Sequence, residues 1–138
     1  MPLSSNLAVN LVTPRGVIAH TDSDSLQAPG ELGEFELLPG HVPLLTALRP
    51  GVLTIGTKTS ARYAVSTGYL RVDPAGAVEI LVEQAKPVDE IDGDAARTEL
   101  KAAEADLAKW GDKPQDGDYE NIVARVGWAK AQVEALAH

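Results

Sequence analysis

Residues 28–51 read APGELGEFELLPGHVPLLTALRPG and contain four prolines and four glycines around two short apolar runs. Proline fixes φ and removes a hydrogen-bond donor, whereas glycine permits positive φ. A segment with this much turn chemistry predicts short strands joined by rigid, shaped loops. Such loops on a stiff scaffold commonly serve as binding surfaces.

The regions around this segment show the period of β-strands. Leu7, Val9 and Leu11 alternate with Ala8, Asn10 and Val12, which predicts a half-buried strand. We predict further strands at residues 17–20, 25–28, 34–38, 52–55, 62–66, 69–72 and 77–83, with turns at 13–16, 56–60 and 73–76. Many short strands with frequent turn residues predict an antiparallel β-sandwich or a flattened barrel.

The last third of the chain changes to a helical period. Asp92 is a predicted N-cap, and Leu100, Ala103, Leu107 and Trp110 fall on one helical face. Residues 111–117 break this helix. A second helix, capped by Asp118, carries a seam with spacings of three and four: Tyr119, Ile122, Val126, Ala129, Val133 and Leu136. The two helices predict an antiparallel α-helical hairpin.

The change of period places a domain boundary near residue 87. Residues 1–87 hold eight acids and six bases, a balance of −2, whereas residues 88–138 hold twelve acids and six bases, a balance of −6. We therefore predict a β-sandwich domain at 1–87 and a helical hairpin at 88–138. Because the hairpin is rich in alanine, it buries little apolar area, and the sequence leaves open whether it is permanently docked or detachable.

Composition excludes several classes of partner. The chain has no cysteine and a formal charge of −8, and its 12 basic residues form no run. These features disfavour disulfides, nucleic acid and anionic lipid surfaces, and they fit a cytoplasmic protein. The amino terminus does not resemble a secretion signal, and no apolar run approaches the ~18 residues of a membrane span. We expect no direct insertion into a membrane.

Residues that could carry catalysis do not form a recognisable set. The sequence lacks a phosphate-binding loop, a dinucleotide fingerprint and a pair of histidines on one helical turn. His20, His41 and His138 lie in three different predicted elements, and a loop histidine such as His41 is more often structural. Acids at the start of a helix are expected from its dipole. We predict no catalytic residue, metal site or cofactor.

The heart of the opening segment, Leu38-Pro-Gly-His-Val-Pro-Leu-Leu-Thr46, resembles the signature of ATP synthase epsilon subunits. The resemblance extends along the chain, with Thr67 in place of the first glycine of a Ser-Gly-Gly strand pair. The further matching segments are residues 7–14, 63–72, 78–85 and 90–92.

This resemblance implies a ten-stranded sandwich, a helical hairpin and a non-catalytic rotor subunit in the central stalk of a proton-translocating ATP synthase. The subunit would lie peripherally at the cytoplasmic face of the plasma membrane, between the gamma subunit and the c-ring. By correspondence, the expected c-ring contact is Glu31, Leu32, Gly33 and Glu34. The expected gamma contact is His41, Val42, Pro43, Leu44 and Leu45. Glu31 and Glu34 are also compatible with ordinary solvated turn acids.

The resemblance further implies that the hairpin modulates ATP hydrolysis by reaching the catalytic head of alpha and beta subunits. The second helix offers only Arg125 and Lys130 as bases, so we expect modest inhibition. Some relatives bind ATP through an Ile-Asp-x-x-Arg-Ala motif. Here Ile91, Asp92 and Ala96 remain, but Ala95 stands at the arginine position, so ATP binding is not expected.

Two other classes of function stay open on the sequence. One is a free-standing module of the same architecture that senses ATP or another ligand, which nucleotide titration would distinguish. The other is a small enzyme on a sandwich scaffold, which the absence of a nucleophile with its base makes remote.

Overall fold

A computed structural model describes residues 6–40, 42–57 and 60–137. Within these ranges the chain forms a series of short strands followed by helices. The strands are β1 (Leu7–Thr13), β2 (Gly16–Ser23), β3 (Leu26–Gly30), β4 (Gly33–Leu37), β5 (Leu44–Leu48), β6 (Gly51–Ile55), β7 (Ala61–Val65), β8 (Gly68–Val72), β9 (Ala77–Val82) and β10 (Ala85–Pro87). A 3₁₀ turn (Val88–Glu90) precedes the helices α1 (Gly93–Ala108) and α2 (Gly117–Ala137).

The strands pair in the order β10-β7-β6-β3-β5-β8-β9-β1-β2, with β4 on the remaining side of β3. Strand β3 divides this order into two layers, because its start pairs with β6 and its end with β5. The first layer is β4-β3-β6-β7-β10, and the second layer is β5-β8-β9-β1-β2. The predicted sandwich followed by a helical pair is confirmed.

One strand pair departs from the predicted antiparallel arrangement. Strand β1 lies between β2 and β9, and it pairs with β9 in parallel, for example Leu11 with Ile80. A hairpin loop forces neighbouring strands to run antiparallel, but β1 and β9 are joined only by a long stretch of chain. Their relative direction is therefore set by packing, and the sequence periods carry no information about it.

The core lies between the two layers and is almost entirely aliphatic. Leu7, Val9 and Leu11 are buried as their alternation predicts. Fully buried leucine, isoleucine and valine side chains from both layers complete the core: Leu26, Leu37, Leu53, Val65, Leu70, Val78 and Ile80. Such a closely packed interior resists deformation, since packing approaches the density of an organic crystal.

The helix ends confirm one predicted cap and correct another. Asp92 caps α1 by accepting a hydrogen bond from the Ala95 N–H at 3.1 Å. The cap of α2 is Asp116 rather than Asp118, because Asp116 Oδ1 accepts from the N–H groups of Asp118 and Tyr119. Two acids two residues apart offer the same sequence signal, and only the loop geometry decides between them.

Trp110 lies in the loop after α1 and not on the predicted helical face. Its Nε1 donates a hydrogen bond to the Lys113 carbonyl oxygen at 3.0 Å, and its ring lies 5.6 Å from the ring of Tyr119. The Lys113 ammonium lies 4.6 Å from the centre of the Trp110 ring. These contacts order the tip of the hairpin.

The hairpin docks on the outer side of the first layer through α2. This helix packs against β6, β7 and the 3₁₀ turn, while α1 packs against α2. A small apolar cluster forms the contact: Val52, Ala64, Ala131 and Ala135, flanked by Val88, Ile91 and Trp128. The hairpin therefore covers the first layer and leaves the outer side of the second layer uncovered.

Candidate interaction surfaces

The predicted c-ring contact is a tight turn between β3 and β4. Gly30 pairs with Gly33, whose φ of +134° is a conformation that favours glycine. The Glu31 N–H donates to the Ala47 carbonyl oxygen at 3.0 Å, which fixes the turn to β5. Glu31 and Glu34 are exposed, and the Leu32 side chain is fully exposed at 102%. The turn is thus a rigid projection that presents one leucine between two carboxylates.

The predicted gamma contact begins in the connection to β5. His41 lies outside the described residues. Val42 and Leu45 are each 69% exposed, whereas Leu44 packs against the core. The alternation follows from the strand period, and it directs Leu45 to the outer side of the second layer.

An apolar row crosses the outer side of the second layer, which we call the open face. The strand registers place Ala47, Tyr69, Leu81, Val12 and Val17 side by side across β5, β8, β9, β1 and β2. Tyr69, Leu81 and Val17 are 58%, 46% and 62% exposed. Apolar side chains aligned across five strands form a continuous patch, and such patches mark interaction sites.

A polar row borders the apolar row on the open face. Its members, polar except for Leu45 at the β5 end, are neighbours across the same five strands: Leu45, Arg71, Glu79, Asn10 and His20. Arg71 and Glu79 form an ion pair at 3.3 Å, and His20 Nδ1 lies 2.9 Å from Asn10 Oδ1. An apolar strip with a polar border is the anatomy of a protein interface.

A cleft of about 690 Å³ joins the open face to the β3–β4 turn. Tyr69 and Leu81 line it from the apolar row, and Glu31 lines it from the turn. Arg49 and Glu83 add charges of both signs. The β3–β4 turn and the open face are therefore adjacent parts of one surface, which the sequence pattern did not reveal because the apolar row depends on strand register.

The remnant of the nucleotide motif has structural roles. Ile91 packs against the apolar cluster below α2, Asp92 caps α1, and Ala96 is buried at 4% exposure. Each of these side chains thus has a packing or capping role within the hairpin or at its contact with the sandwich. The Asp92 interpretation as an N-cap is confirmed.

Arg125, one of the two bases of α2, is engaged within the hairpin. Its Nε donates to Glu99 Oε1 at 2.8 Å and its Nη1 donates to Asp106 Oδ2 at 2.9 Å. These hydrogen bonds, first the one to Glu99 and then the one to Asp106, raise the pKa of Arg125 above its ordinary value. Both carboxylates belong to α1, so the guanidinium joins the two helices.

The described residues hold no group of three or more histidines and acids that could bind a metal ion. Over the same ranges, neither α1 nor α2 combines the length and the apolar character needed to cross a bilayer.

Comparison with known proteins points to one family. Residues 6–88 match the family model described as ATP synthase, delta/epsilon chain, beta-sandwich domain. An ATP synthase epsilon chain of Geobacter sulfurreducens is 42% identical over 123 residues, which cover 88% of this chain and 87% of that protein. An epsilon chain of Syntrophotalea carbinolica is 35% identical over 133 residues, 96% of this chain and 94% of that protein.

Solved structures agree on the fold. A chain in the cryo-EM structure of Euglena gracilis mitochondrial ATP synthase, OSCP/F1/c-ring, superposes with a TM-score of 0.80 at 21% identity. The match covers 100% of this chain and 85% of that chain. A chain in the central stalk/c-ring structure of Tetrahymena thermophila mitochondrial ATP synthase gives a TM-score of 0.64 at 18% identity, covering 99% of both chains.

Proposed function

Because the chain belongs to the ATP synthase delta/epsilon family, we propose that it is the epsilon-type subunit of the central stalk of a rotary ATP synthase. In this role it joins the gamma subunit to the c-ring and contributes no active site of its own. The observation that carries the proposal is the adjacency of the open face and the β3–β4 turn, which offers two partners one continuous surface. The alternative of a free-standing ligand-sensing module is not favoured by the family assignment.

The open face is the surface that gamma covers in this proposal. Its apolar row leaves Tyr69, Leu81 and Val17 about half exposed or more, and two further exposed apolar side chains lie nearby, Leu45 within β5 and Val42 just before it. Burying such side chains yields about 25 cal/mol for each Å² of apolar area, and aromatic residues commonly dominate an interface. The predicted contact at residues 41–45 is therefore one end of a larger gamma surface.

The β3–β4 turn is the part that meets the c-ring. Leu32 supplies an apolar contact, while Glu31 and Glu34 suit basic or amide-rich loops. The hydrogen bond from the Glu31 N–H to the Ala47 carbonyl oxygen fixes the turn to β5, so a load on the turn is passed to the sandwich. A closed sandwich with a close-packed core suits a joint that transmits torque.

The hairpin at 88–138 is the regulatory part of the subunit in this proposal, attached to the docking domain at 1–87. Its inhibition of ATP hydrolysis at the alpha and beta subunits is modest, because Arg125 already pairs with Glu99 and Asp106. The subunit lies peripherally, at the cytoplasmic face of the membrane that holds the synthase, through its contacts with gamma and the c-ring.

Binding to the purified gamma subunit of the same synthase tests this function. Leu81→Glu places a charge in the apolar row. It should raise the Kd for gamma by at least about tenfold, which corresponds to a loss of roughly 1.4 kcal/mol of binding free energy. Val123→Glu is the matched control, since Val123 is 43% exposed on α2 and Leu81 is 46% exposed. Equal affinity of both variants for gamma would overturn the assignment of the open face.

A further inference from the structure

Four residues form a stack that runs from the β3–β4 turn to α2, which we call the proline–glycine stack: Pro29, Gly51, Pro50 and Gly127. A Cβ on Gly51 would lie 2.7 Å from Pro29 Cβ. A Cβ on Gly127 would lie 2.8 Å from Pro50 Cγ. Real Cβ atoms do not approach other atoms this closely, so each glycine is needed for the neighbouring proline ring to pack.

The first end of the stack is fixed to the turn. Pro29 is fully buried in β3, two residues before Glu31. Its carbonyl oxygen accepts a hydrogen bond from the Arg49 N–H at 2.9 Å, directly before Pro50. The Glu31 N–H in turn bonds to Ala47. A displacement of the turn therefore moves residues 47–51 with it.

The second end of the stack is part of the docked side of α2. Gly127, Ala131 and Ala135 follow one another at a spacing of four, and the two alanines are buried against the first layer. A cleft of about 270 Å³ beside the stack is lined by Glu34 and Arg49 from the sandwich and by Lys130 and Glu134 from α2. Glu34, a predicted c-ring residue, thus faces the same cleft as the helix.

We propose that the proline–glycine stack couples the β3–β4 turn to the docking of the hairpin. The inference rests on the proposed function in one respect, namely that the turn is the part engaged by the c-ring. Engagement of the turn then changes how firmly α2 is held, and docking of α2 changes the order of the turn. Equilibrium coupling between two sites is reciprocal, so an effect in one direction requires the other.

The small side chains of the docked face make this coupling effective. Alanine and glycine bury little apolar area, so α2 is held by close fit rather than by large side chains. If Pro50 shifts by a fraction of an ångström, the van der Waals attraction between Pro50 and α2 falls. The loss is a larger fraction of the total contact here than it would be for a helix docked through leucine side chains. The hairpin is accordingly sensitive to the position of the turn.

Amide hydrogen exchange measured by NMR on the isolated full chain tests the coupling in both directions. Gly127→Ala should raise the exchange of α2 and β6 amides by about tenfold or more. It should raise the exchange of the Glu31 and Arg49 amides as well. In the other direction, Pro29→Ala should raise the exchange of α2 amides near residues 127–135.

Gly117→Ala is the matched control, because a Cβ at Gly117 in the same helix meets no atom within 4 Å. Gly117→Ala should leave amide exchange unchanged both near residues 127–135 of α2 and at Glu31 and Arg49. If Pro29→Ala unfolds the sandwich, Pro50→Ala takes its place, since it removes the ring that contacts Gly127.

The proposed coupling is overturned if Gly127→Ala raises the exchange of the α2 amides while the Glu31 and Arg49 amides exchange as in the parent chain. It is also overturned if Gly127→Ala leaves α2 unaffected. Because no partner subunit takes part in the measurement, its outcome is independent of binding to gamma or the c-ring. Failure of the coupling is thereby distinguished from failure of the proposed function.

Discussion

Arg125 in α2 bonds to Glu99 in α1 through its Nε at 2.8 Å, and the pair joins the two helices of the hairpin. Asp106 receives the Nη1 of the same guanidinium. The side chains of all three residues remain 40–49% exposed, so solvent screens their attraction. The guanidinium therefore aligns the helices more than it stabilises the whole chain.

Arg125→Gln should slightly lower the stability of the hairpin at low salt, because two charge-assisted hydrogen bonds are lost. At 1 M salt the screening length falls to about 3 Å, and the difference from the parent chain should largely disappear. Circular dichroism melts at both salt concentrations measure this effect. Lys109→Gln, a charge-matched change at the end of α1, is the control, and an undiminished difference at high salt would contradict an electrostatic origin.

Gly68, at the start of β8, is a glycine that the packing of the second layer requires. A Cβ at this position would lie directly against the Leu81 carbonyl oxygen and 2.7 Å from the Val82 Cα. Gly68→Ala should therefore reduce the free energy of unfolding by about 1–3 kcal/mol. Urea titration measures the change.

The matched variant is Thr67→Gly, at the exposed position where the family pattern has its first glycine. The described residues contain no non-glycine residue with positive φ, so Thr67 is unstrained. Thr67→Gly should change the free energy of unfolding by less than about 1 kcal/mol. If Thr67→Gly lowered the free energy of unfolding more than Gly68→Ala does, the requirement for glycine at position 68 would be contradicted.

Tyr63 lies in β7, near the acidic residues of the 3₁₀ turn that precedes the hairpin. Burial, followed by the charges of Asp89 and Glu90, raises the pKa of Tyr63 above its ordinary value. The unfolded chain therefore loses the phenolic proton first, and the stability that Tyr63 contributes falls as pH rises from about 10 through the folded-state pKa. The contribution is fully present below this range.

Tyr63→Phe removes the titrating group, so the variant should lose less stability than the parent chain between pH 8 and pH 11. Urea midpoints across this range provide the comparison, and Tyr69→Phe on the open face is the control. Parallel pH profiles of the parent chain and Tyr63→Phe would refute the assigned cause.

The strand period was informative wherever one face of a strand is buried, as in β1. It did not reveal β5, which Pro43 and Pro50 bracket. The three-residue β10 is too short to show a period. The resemblance to epsilon subunits supplied the number of strands that the pattern alone left incomplete.

The interaction surfaces were only partly predictable, for a related reason. Glu31 and Leu32 lie in one turn, and adjacent residues are visible in a sequence. Tyr69 and Leu81 lie on different strands, and only their register places them together. The docked side of α2 was missed because Gly127, Ala131 and Ala135 are too small to stand out in a hydrophobic pattern, although their spacing of four is a readable signal.

Cross-linking from single cysteines in the assembled synthase tests the central claim most directly, and the chain's lack of native cysteine makes each label unambiguous. Leu32→Cys should cross-link to the c-ring and Leu81→Cys to gamma. Ala75→Cys, in the exposed β8–β9 turn at the other end of these strands, should not reach the c-ring. A c-ring product from Ala75→Cys and none from Leu32→Cys would contradict the proposed placement of the subunit between its two partners.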